Sequence, residues 1–249
     1  MTYSLQLYTL RNAIAEDLPG TIAKVAQIGY TKVEPYNFVA TAKELGAALK
    51  ENGLTAPSGH APLLSKDQDE IFAAAKELGI SIVIDPFHPA EHWQSAEDIQ
   101  ATAAKLNQAA KKAAEYGIRV GYHNHEWELS SKIEGQSALE YFAGLLDPEV
   151  VLEVDTYWAS VGGEDPVELL ARLGDRVKLI HIKDGPGNRD TKAQKPAGQG
   201  SIPVLDVINA AKSLEVGVVE FDDYSEDIFE GIAQSLAYLT EAAGKGSEA

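Results

Sequence analysis

The chain has 249 residues and carries 38 Asp and Glu against 21 Lys and Arg, which gives a formal net charge of −17. A chain this acidic repels polyanions, and this excludes non-specific binding to nucleic acid. With 45% hydrophobic and 24% charged residues, the composition is that of a folded globular protein. The absence of cysteine excludes disulfides, thiolate metal sites and a cysteine nucleophile.

The N-terminus and the lack of linkers indicate how the chain is organised. Met1 to Gln6 enter a strand-like run without a basic or long apolar segment. This pattern predicts neither a signal peptide nor a membrane span, and we expect a cytoplasmic protein. No stretch rich in Pro, Ser and Gly divides the sequence, which predicts one domain over residues 1–243 and a frayed tail over 244–249.

Runs rich in β-branched and aromatic residues recur along the chain and predict strands. These eight runs are Tyr3–Leu10, Lys32–Tyr36, Leu54–His60, Ser81–Phe87, Arg119–His125, Val150–Thr156, Val177–Asp184 and Val216–Tyr224.

Segments between these runs have apolar residues at helical spacing, such as Leu18, Ile22 and Val25. Several segments end in glycine, as at Gly29 and Gly79, where a left-handed helix cap is favourable. Eight strand and helix repeats predict an α/β fold, a single (β/α)8 TIM barrel, with a doubly wound open sheet as the alternative. The chain has no Gly-x-Gly-x-x-Gly after the first run and no Walker lysine loop, which disfavours the nucleotide-binding form of the open sheet.

One connection is much longer than the others. Gly185 to Pro203 is rich in Gly, Pro and charge. It is interpreted as a solvated loop, with a lid that closes over substrate as the alternative.

Polar residues collect at the ends of the predicted strands, where a parallel barrel builds its active site. These residues are His60, His123, His125 and His181 together with Glu34, Glu126, Glu128, Glu153, Asp155, Glu220 and Asp222. Strand side chains alternate with period two, so Glu153 shares a face with Asp155, and His181 with Lys183. If these faces point inward, the groups converge in an acidic pocket that contains imidazoles.

Clustered carboxylates repel one another unless a cation lies between them. Mixed imidazole and carboxylate ligands suit Mn, Co, Zn or Fe, and Mg is also compatible, so one divalent metal is the expected cofactor. The alternative is that the carboxylates form buried ion pairs with Arg119, Lys178 or Lys183.

Several short motifs, in this order, resemble the sugar phosphate isomerase/epimerase family of the xylose isomerase-like TIM barrel superfamily. That superfamily also contains apurinic endonucleases, inosose dehydratases and tagatose epimerases. The motifs are Gln6-Leu7-Tyr8-Thr9-Leu10-Arg11, Gly29-Tyr30 before Val33-Glu34, Ser58-Gly59-His60, Tyr122-His123-Asn124-His125, Val154-Asp155-Thr156-Tyr157-Trp158 and His181-Ile182-Lys183-Asp184.

The resemblance implies one divalent metal held by residues of the last four strands. Asp155, His181 and Glu220 match the ligands on the sixth, seventh and eighth strands. Many relatives carry Glu-Asn-His where this chain has His123-Asn124-His125, so the ligand from the fifth strand is assigned to Glu128, with His123 as the competing residue.

The same resemblance implies the other roles at the site. Glu34 and His60 match positions that line the sugar pocket, and His125 and Trp158 are further candidates for sugar binding. Lys183 is placed to bind a substrate oxygen or move a proton. Glu128 and Glu220 are candidate acid and base, with His123 as an alternative acid or base. The apurinic endonucleases need an extra histidine where this chain has Trp158, which together with the charge argues against DNA repair.

A metal that bridges a hydroxyl and a carbonyl acidifies the neighbouring carbon and stabilises the enediolate. Returning the proton inverts or isomerises the sugar, and a leaving group on the next carbon is eliminated.

The expected function is a metal-dependent isomerase or epimerase of a small sugar or cyclic polyol. The first alternative is a lyase or dehydratase of a 3-keto-glycoside or inosose. The second is a non-catalytic sugar-binding barrel, supported only if Asp155, His181 or Glu220 turns away. Relatives often form homo-oligomers, and the oligomeric state stays open.

Overall fold

The computed structural model describes residues 3–246. Eight parallel strands lie in one sheet that curls into a nearly closed barrel, which confirms the predicted (β/α)8 fold. The strands are β1 (Tyr3–Gln6), β2 (Lys32–Glu34), β3 (Ser58–His60), β4 (Ile82–Asp85), β5 (Arg119–His123), β6 (Val151–Asp155), β7 (Val177–Ile182) and β8 (Val216–Val219). A two-stranded ribbon, Lys132–Ile133 with Gln136–Ser137, lies outside the barrel sheet.

Pairing between the first and last strands closes the ring. Leu5 of β1 lies opposite Val33 of β2 on one side and Val219 of β8 on the other. The joint between β2 and β3 is looser, because its bridges lie partly outside the strands, as between Tyr36 and His60.

Helices cover the outside of the barrel. They are α1 (Arg11–Glu16), α2 (Leu18–Ile28), α3 (Ala42–Glu51), α4 (Gln68–Leu78), α5 (Ala96–Glu115), α6 (Trp127–Ser130), α7 (Ala138–Leu145), α8 (Thr156–Val161), α9 (Pro166–Leu173), α10 (Val204–Ala210) and α11 (Ile228–Gly246). Helix α4 shows why these bounds arise. The Asp67 carboxylate accepts hydrogen bonds from the first-turn amides, and Gly79 ends the helix with a φ of 73° that other residues rarely adopt.

Inside the barrel, the inner faces of β6, β7 and β8 change from apolar to polar toward their carboxyl ends. A layer of aliphatic side chains fills the lower interior: Ile82, Ile84, Val151, Leu179, Val216 and Val218. Two residues further along the same faces come Glu153 after Val151, His181 after Leu179 and Glu220 after Val218. The period-two alternation therefore directs these polar groups inward, as predicted.

Several strands are shorter than the sequence pattern predicts. β1 ends at Gln6, because Leu7–Leu10 forms a 3-10 helix that the Gln6 side chain caps. His125 lies two residues past the end of β5, and Glu220 lies just past β8. These groups are therefore placed by loops, although they follow the strand faces.

The long connection from Gly185 to Pro203 is held by one buried carboxylate. Asp184 accepts hydrogen bonds from four backbone amides, those of Gly185, Gly198, Gly200 and Ile202, at 2.8–3.1 Å. A Cβ atom at Gly200 would collide with the Asp184 carboxylate, so the close approach requires glycine there. Although many of its residues are exposed, the loop is thus fixed at its base.

Among residues 3–246, no helix combines the length and the apolar character needed to cross a membrane. The predicted tail over 244–249 lies partly outside the described residues, and helix α11 continues as far as Gly246.

Candidate metal centre and active site

Four side chains from consecutive strands meet at the carboxyl end of the barrel. His123 and Asp155 are the last residues of β5 and β6, His181 lies on β7, and Glu220 directly follows β8. All four are buried, and one nitrogen or oxygen atom of each lies within 4.8 Å of the others. His181 Nδ1 is 2.6 Å from Glu220 Oε2, and His123 Nε2 is 3.9 Å from Asp155 Oδ2. Among the described residues, this group can converge on a single ion.

The donor set suits a divalent cation. Two carboxylates balance its charge, and two imidazoles favour zinc, cobalt, manganese or iron. Burial and the nearby His181 hold the pKa of His123 well below its ordinary value, so that His123 is in the neutral form that ligates metals. Burial raises the pKa of Asp155 to about 6, although Lys183 and His181 oppose this rise, and a cation would offset that cost. His123 Nδ1 has no hydrogen-bond partner within residues 3–246. The residues therefore fit a metal.

Glu128, the expected fifth-strand ligand, lies outside this group of close atoms. Its carboxyl group is buried and accepts hydrogen bonds from Tyr122 Oη at 2.7 Å and from the His125 amide at 2.9 Å. Burial raises the pKa of Glu128 to about 8, which favours the neutral acid. The competing residue His123 is the β5 residue that belongs to this group. Glu128 instead fixes the loop that carries His125.

A second layer of polar side chains lies beneath the four converging groups. The Glu34 carboxylate accepts hydrogen bonds from Gln6 and Ser58 and lies 3.0 Å from His181 Nε2. Burial alone would raise the pKa of Glu34, but His60 and His181 lower it below its ordinary value. Glu34 is therefore an ionised acceptor below the expected metal.

Glu153 is the most connected residue of this lower layer. Its Oε2 atom lies 2.5 Å from His60 Nε2, 3.2 Å from His181 Nε2 and 3.5 Å from His123 Nδ1. Burial and Glu34 oppose ionisation, yet His181 and His60 lower the pKa of Glu153 to about 2. One ionised carboxylate thus faces three imidazoles, two of which belong to the converging group.

We expect Glu153→Gln to lower the affinity for a divalent metal about 10- to 100-fold, which is the usual loss when the partner of a ligating histidine is removed. The charged carboxylate bonds to His60 and lies 3.2 and 3.5 Å from the His181 and His123 rings, and a neutral amide would orient these rings less firmly. Equilibrium competition with a chromogenic chelator measures the change. Glu126→Gln, a half-buried glutamate near the end of β5, is the control, and equal affinities for both variants would contradict this role.

Lys183 is buried beside the same cluster. Its Nζ atom lies 2.7 Å from Glu220 Oε2, 2.8 Å from Asp155 Oδ2 and 2.9 Å from Asp222 Oδ2. Burial alone would lower the pKa of Lys183, but these three carboxylates raise it well above its ordinary value. Lys183 therefore forms the buried ion pair that the sequence left as an alternative, whereas Arg119 pairs with Glu215 at the start of β5.

A cavity of about 270 Å³ opens above the cluster. It is lined by Tyr8, Tyr36, Asn37, His60, Pro86, Phe87, His123, His125, Glu220 and Asp222. The candidates His60 and His125 thus line it, whereas Glu34 lies below it. Trp158 is 8% exposed and outside this lining, and its backbone amide donates to Asp155 Oδ1. A larger depression, of about 590 Å³, near the start of β5 contains none of these candidate residues.

Three further carboxylates matter here: Glu153 and Asp222, to which the sequence assigns no role, and Asp85, which is not among the residues identified from the sequence. Strand alternation predicts that Glu153 lies on the inner face of β6, but it does not predict the contacts of Glu153 with three histidines. Asp222 follows β8, where it holds Lys183 and pairs with Gln194 of the long loop at 2.7 and 2.8 Å. Asp85, the last residue of β4, accepts hydrogen bonds from the Leu64 and Phe87 amides, and burial raises its pKa to about 6. Its position at a strand end was the available signal.

Comparison with known proteins agrees with this fold. Inosose dehydratase from Geobacillus kaustophilus (strain HTA426) is 26% identical over 212 residues, which cover 69% of this chain and 66% of that protein, just under two thirds of its length. A sugar phosphate isomerase/epimerase from Parabacteroides distasonis superposes with a TM-score of 0.82 at 24% identity, over 96% of this chain and 93% of that chain.

A structure of the IolI protein with a zinc atom superposes with a TM-score of 0.74 at 16% identity, over 98% of this chain and 99% of that chain. The two structural similarities concern the fold alone. The sequence model described as xylose isomerase-like TIM barrel matches residues 22–242, a range that contains all four converging side chains. This chain therefore belongs to the xylose isomerase-like TIM barrel family.

Proposed function

We propose that this protein is a divalent-metal-dependent enzyme that removes a proton next to a carbonyl group of a sugar or cyclic polyol. The observation that carries the proposal is the buried convergence of His123, Asp155, His181 and Glu220 below an open cavity. We assign the four metal ligands to these residues, with His123 in place of Glu128. The zinc atom in the related IolI structure supports a metal at such a site.

When bound, the cation would act as a Lewis acid that polarises the carbonyl and offsets the negative charge left by the departing proton. The residues of the chain supply the rest. Glu220 and Asp222 line one part of the cavity, and either carboxylate is suited to accept the proton. His125 lines the cavity, and its imidazole is suited to contact a substrate oxygen. Lys183 holds both carboxylates in place through its ammonium group.

Elimination is the outcome that we favour. An epimerase that uses two glutamates needs one on each face of the sugar, and Glu128, the expected partner of Glu220, is engaged with Tyr122 and His125 outside the cavity lining. A lyase needs a base and a group that interacts with the departing oxygen. The dehydratase name of the Geobacillus relative supports this choice.

Isomerisation or epimerisation is the second candidate. Both Glu220 and Asp222 line the cavity, and two carboxylates can pass a proton out and back. No converging residue among Asp155, His181 and Glu220 is turned away from the others, so the structure lends no support to a non-catalytic barrel.

The test is proton exchange in deuterated water with the protein loaded with zinc, manganese or cobalt. We expect deuterium to enter beside the carbonyl of a 3-keto-glycoside or inosose, together with release of the aglycone or of water. The chelator-treated protein should show neither. Deuterium exchange that returns an intact isomer would favour the second candidate. If no keto compound exchanges deuterium with any of the metals, the proposal is wrong.

A further inference from the structure

The cavity above the metal ligands offers no place for a phosphate group. None of its lining residues, all within the described range, is Lys or Arg, and two of them, Glu220 and Asp222, are carboxylates. The cations near the cavity already have partners: Lys183 contacts three carboxylates, Arg189 lies 3.2 Å from Glu126, and Arg11 donates a hydrogen bond to the Tyr8 carbonyl. The lining itself therefore presents two carboxylates and no cationic side chain to an anionic substrate.

The rim of the cavity, in contrast, is aromatic. Among the described residues, Tyr8 and Phe87 are two of the four exposed large hydrophobic side chains, with 41% and 52% of their surface exposed, and both line this cavity. Exposed rings at the mouth of a pocket mark a binding surface rather than a core.

The first wall of the rim follows β1 and β2. Tyr8 contacts Tyr36 edge to face, with ring centroids 5.3 Å apart. The Arg11 guanidinium lies 4.3 Å from the centre of the Tyr8 ring and donates a hydrogen bond to the Tyr8 carbonyl. These contacts hold Tyr8 at the rim although much of its ring is in solvent.

The second wall follows β4 and β5. His125 stacks on Trp127 with centroids 4.4 Å apart, and Phe87 lies across both rings at 5.7 and 5.6 Å. Asp85 accepts the Phe87 amide hydrogen and thereby fixes the start of this loop. The wall is thus built in advance of any ligand.

The two walls stand apart around the ring of strands. β3 lies between them on one side and β6 to β8 on the other. His60, at the end of β3, lines the cavity floor between them. A sugar ring that reaches the metal ligands would therefore leave its far end between two aromatic surfaces.

We propose that the substrate is an uncharged glycoside with a second ring, which lies between the Tyr8 and Tyr36 wall and the Phe87, His125 and Trp127 wall. This inference rests on the proposed function for the placement of the first ring. A lone sugar that binds the polar floor through its hydroxyl groups would leave the exposed rings of the rim uncovered. A second ring with an apolar face, aromatic or sugar, uses both surfaces.

The test is calorimetric titration of the metal-loaded protein with matched methyl and phenyl pyranosides of several sugars, which lack the keto group and do not react. We expect the affinity of at least one phenyl pyranoside to exceed that of its methyl partner by about tenfold or more. Contacts between aromatic rings contribute up to about 1.5 kcal/mol, which corresponds to a factor of about ten in affinity. Sugar 6-phosphates should bind no better than the free sugars.

Phe87→Ala and Tyr8→Ala should each remove most of the phenyl preference, and Phe87→Leu should remove part of it. Leu205→Ala, an exposed apolar side chain on α10, is the matched control and should keep the preference. Equal affinities within every pair, or no binding of any phenyl pyranoside at millimolar concentration, would overturn the inference. A change of oligomeric state in the Phe87 or Tyr8 variants would overturn it too. If the inference fails in this way but keto compounds still exchange deuterium, the proposed function stands and only the second-ring site is wrong.

Discussion

His123→Ala is expected to lower the affinity for divalent metal about 100-fold or more and to abolish turnover. Four ligands that share an apparent binding free energy of about 10–16 kcal/mol contribute roughly 3 kcal/mol each, which corresponds to a factor of about 100. Elemental analysis after dialysis and chelator competition measure the loss. Because His123 is buried, circular dichroism has to show that the variant is folded.

Glu128→Gln is the matched variant for the competing residue. The pKa of Glu128 is raised to about 8, so the side chain is mostly neutral near pH 7 and glutamine resembles it closely. The variant should keep about one equivalent of metal and should weaken only the placement of His125. Loss of metal from Glu128→Gln with retention in His123→Ala would reverse the assignment of the fifth-strand ligand.

Asp184→Ala is expected to destabilise the protein by about 3–4 kcal/mol. The substitution removes the acceptor of four backbone amides, two of them buried, and each lost bond to a charged acceptor costs roughly 1–3 kcal/mol before water compensates at the exposed ones. For a chain of this length, the thermal midpoint should fall by about 10 °C. Thermal unfolding followed by circular dichroism checks this.

Asp190→Ala is the control for Asp184→Ala, since Asp190 lies in the same loop but is exposed and caps only a short 3-10 helix. It should cost no more than about 1 kcal/mol. If the two variants unfold at the same temperature, the loop does not depend on Asp184. The Asp184 variant should also bind substrate poorly, because the loop carries Gln194, which holds Asp222 at the cavity.

The fold could be predicted from the sequence because helices, strands and helix caps each depend on residues that are close together in the chain. The apolar spacing of Leu18, Ile22 and Val25 and the glycine caps at Gly29 and Gly79 all appear in the structure. Strand ends were less predictable. The residues after His123 and Val219 keep an extended pattern, but barrel pairing stops there, and pairing depends on distant strands.

The candidate site could be predicted as a set of inward polar groups but not as a network. Alternation placed Asp155 and Glu153 on one face, yet it could not show that Glu153 lies beside His60, 93 residues away in the chain. Glu128 is a residue whose position the spacing did not predict. A glutamate soon after β5 matches a ligand position by spacing alone, but the turn of α6 directs its carboxyl group to Tyr122.

The order of the strands has a consequence for folding. His123, Asp155, His181 and Glu220 come from consecutive strands, β5 to β8, whereas closure of the barrel pairs Tyr3 with Gly217 across almost the whole chain. Contacts so distant in sequence form slowly, because a long loop must be closed first. The four converging side chains can therefore assemble before the ring is complete. A metal bound by these side chains would stabilise β5 to β8 early in folding, and β1 to β4 could then pair with strands that are already in place.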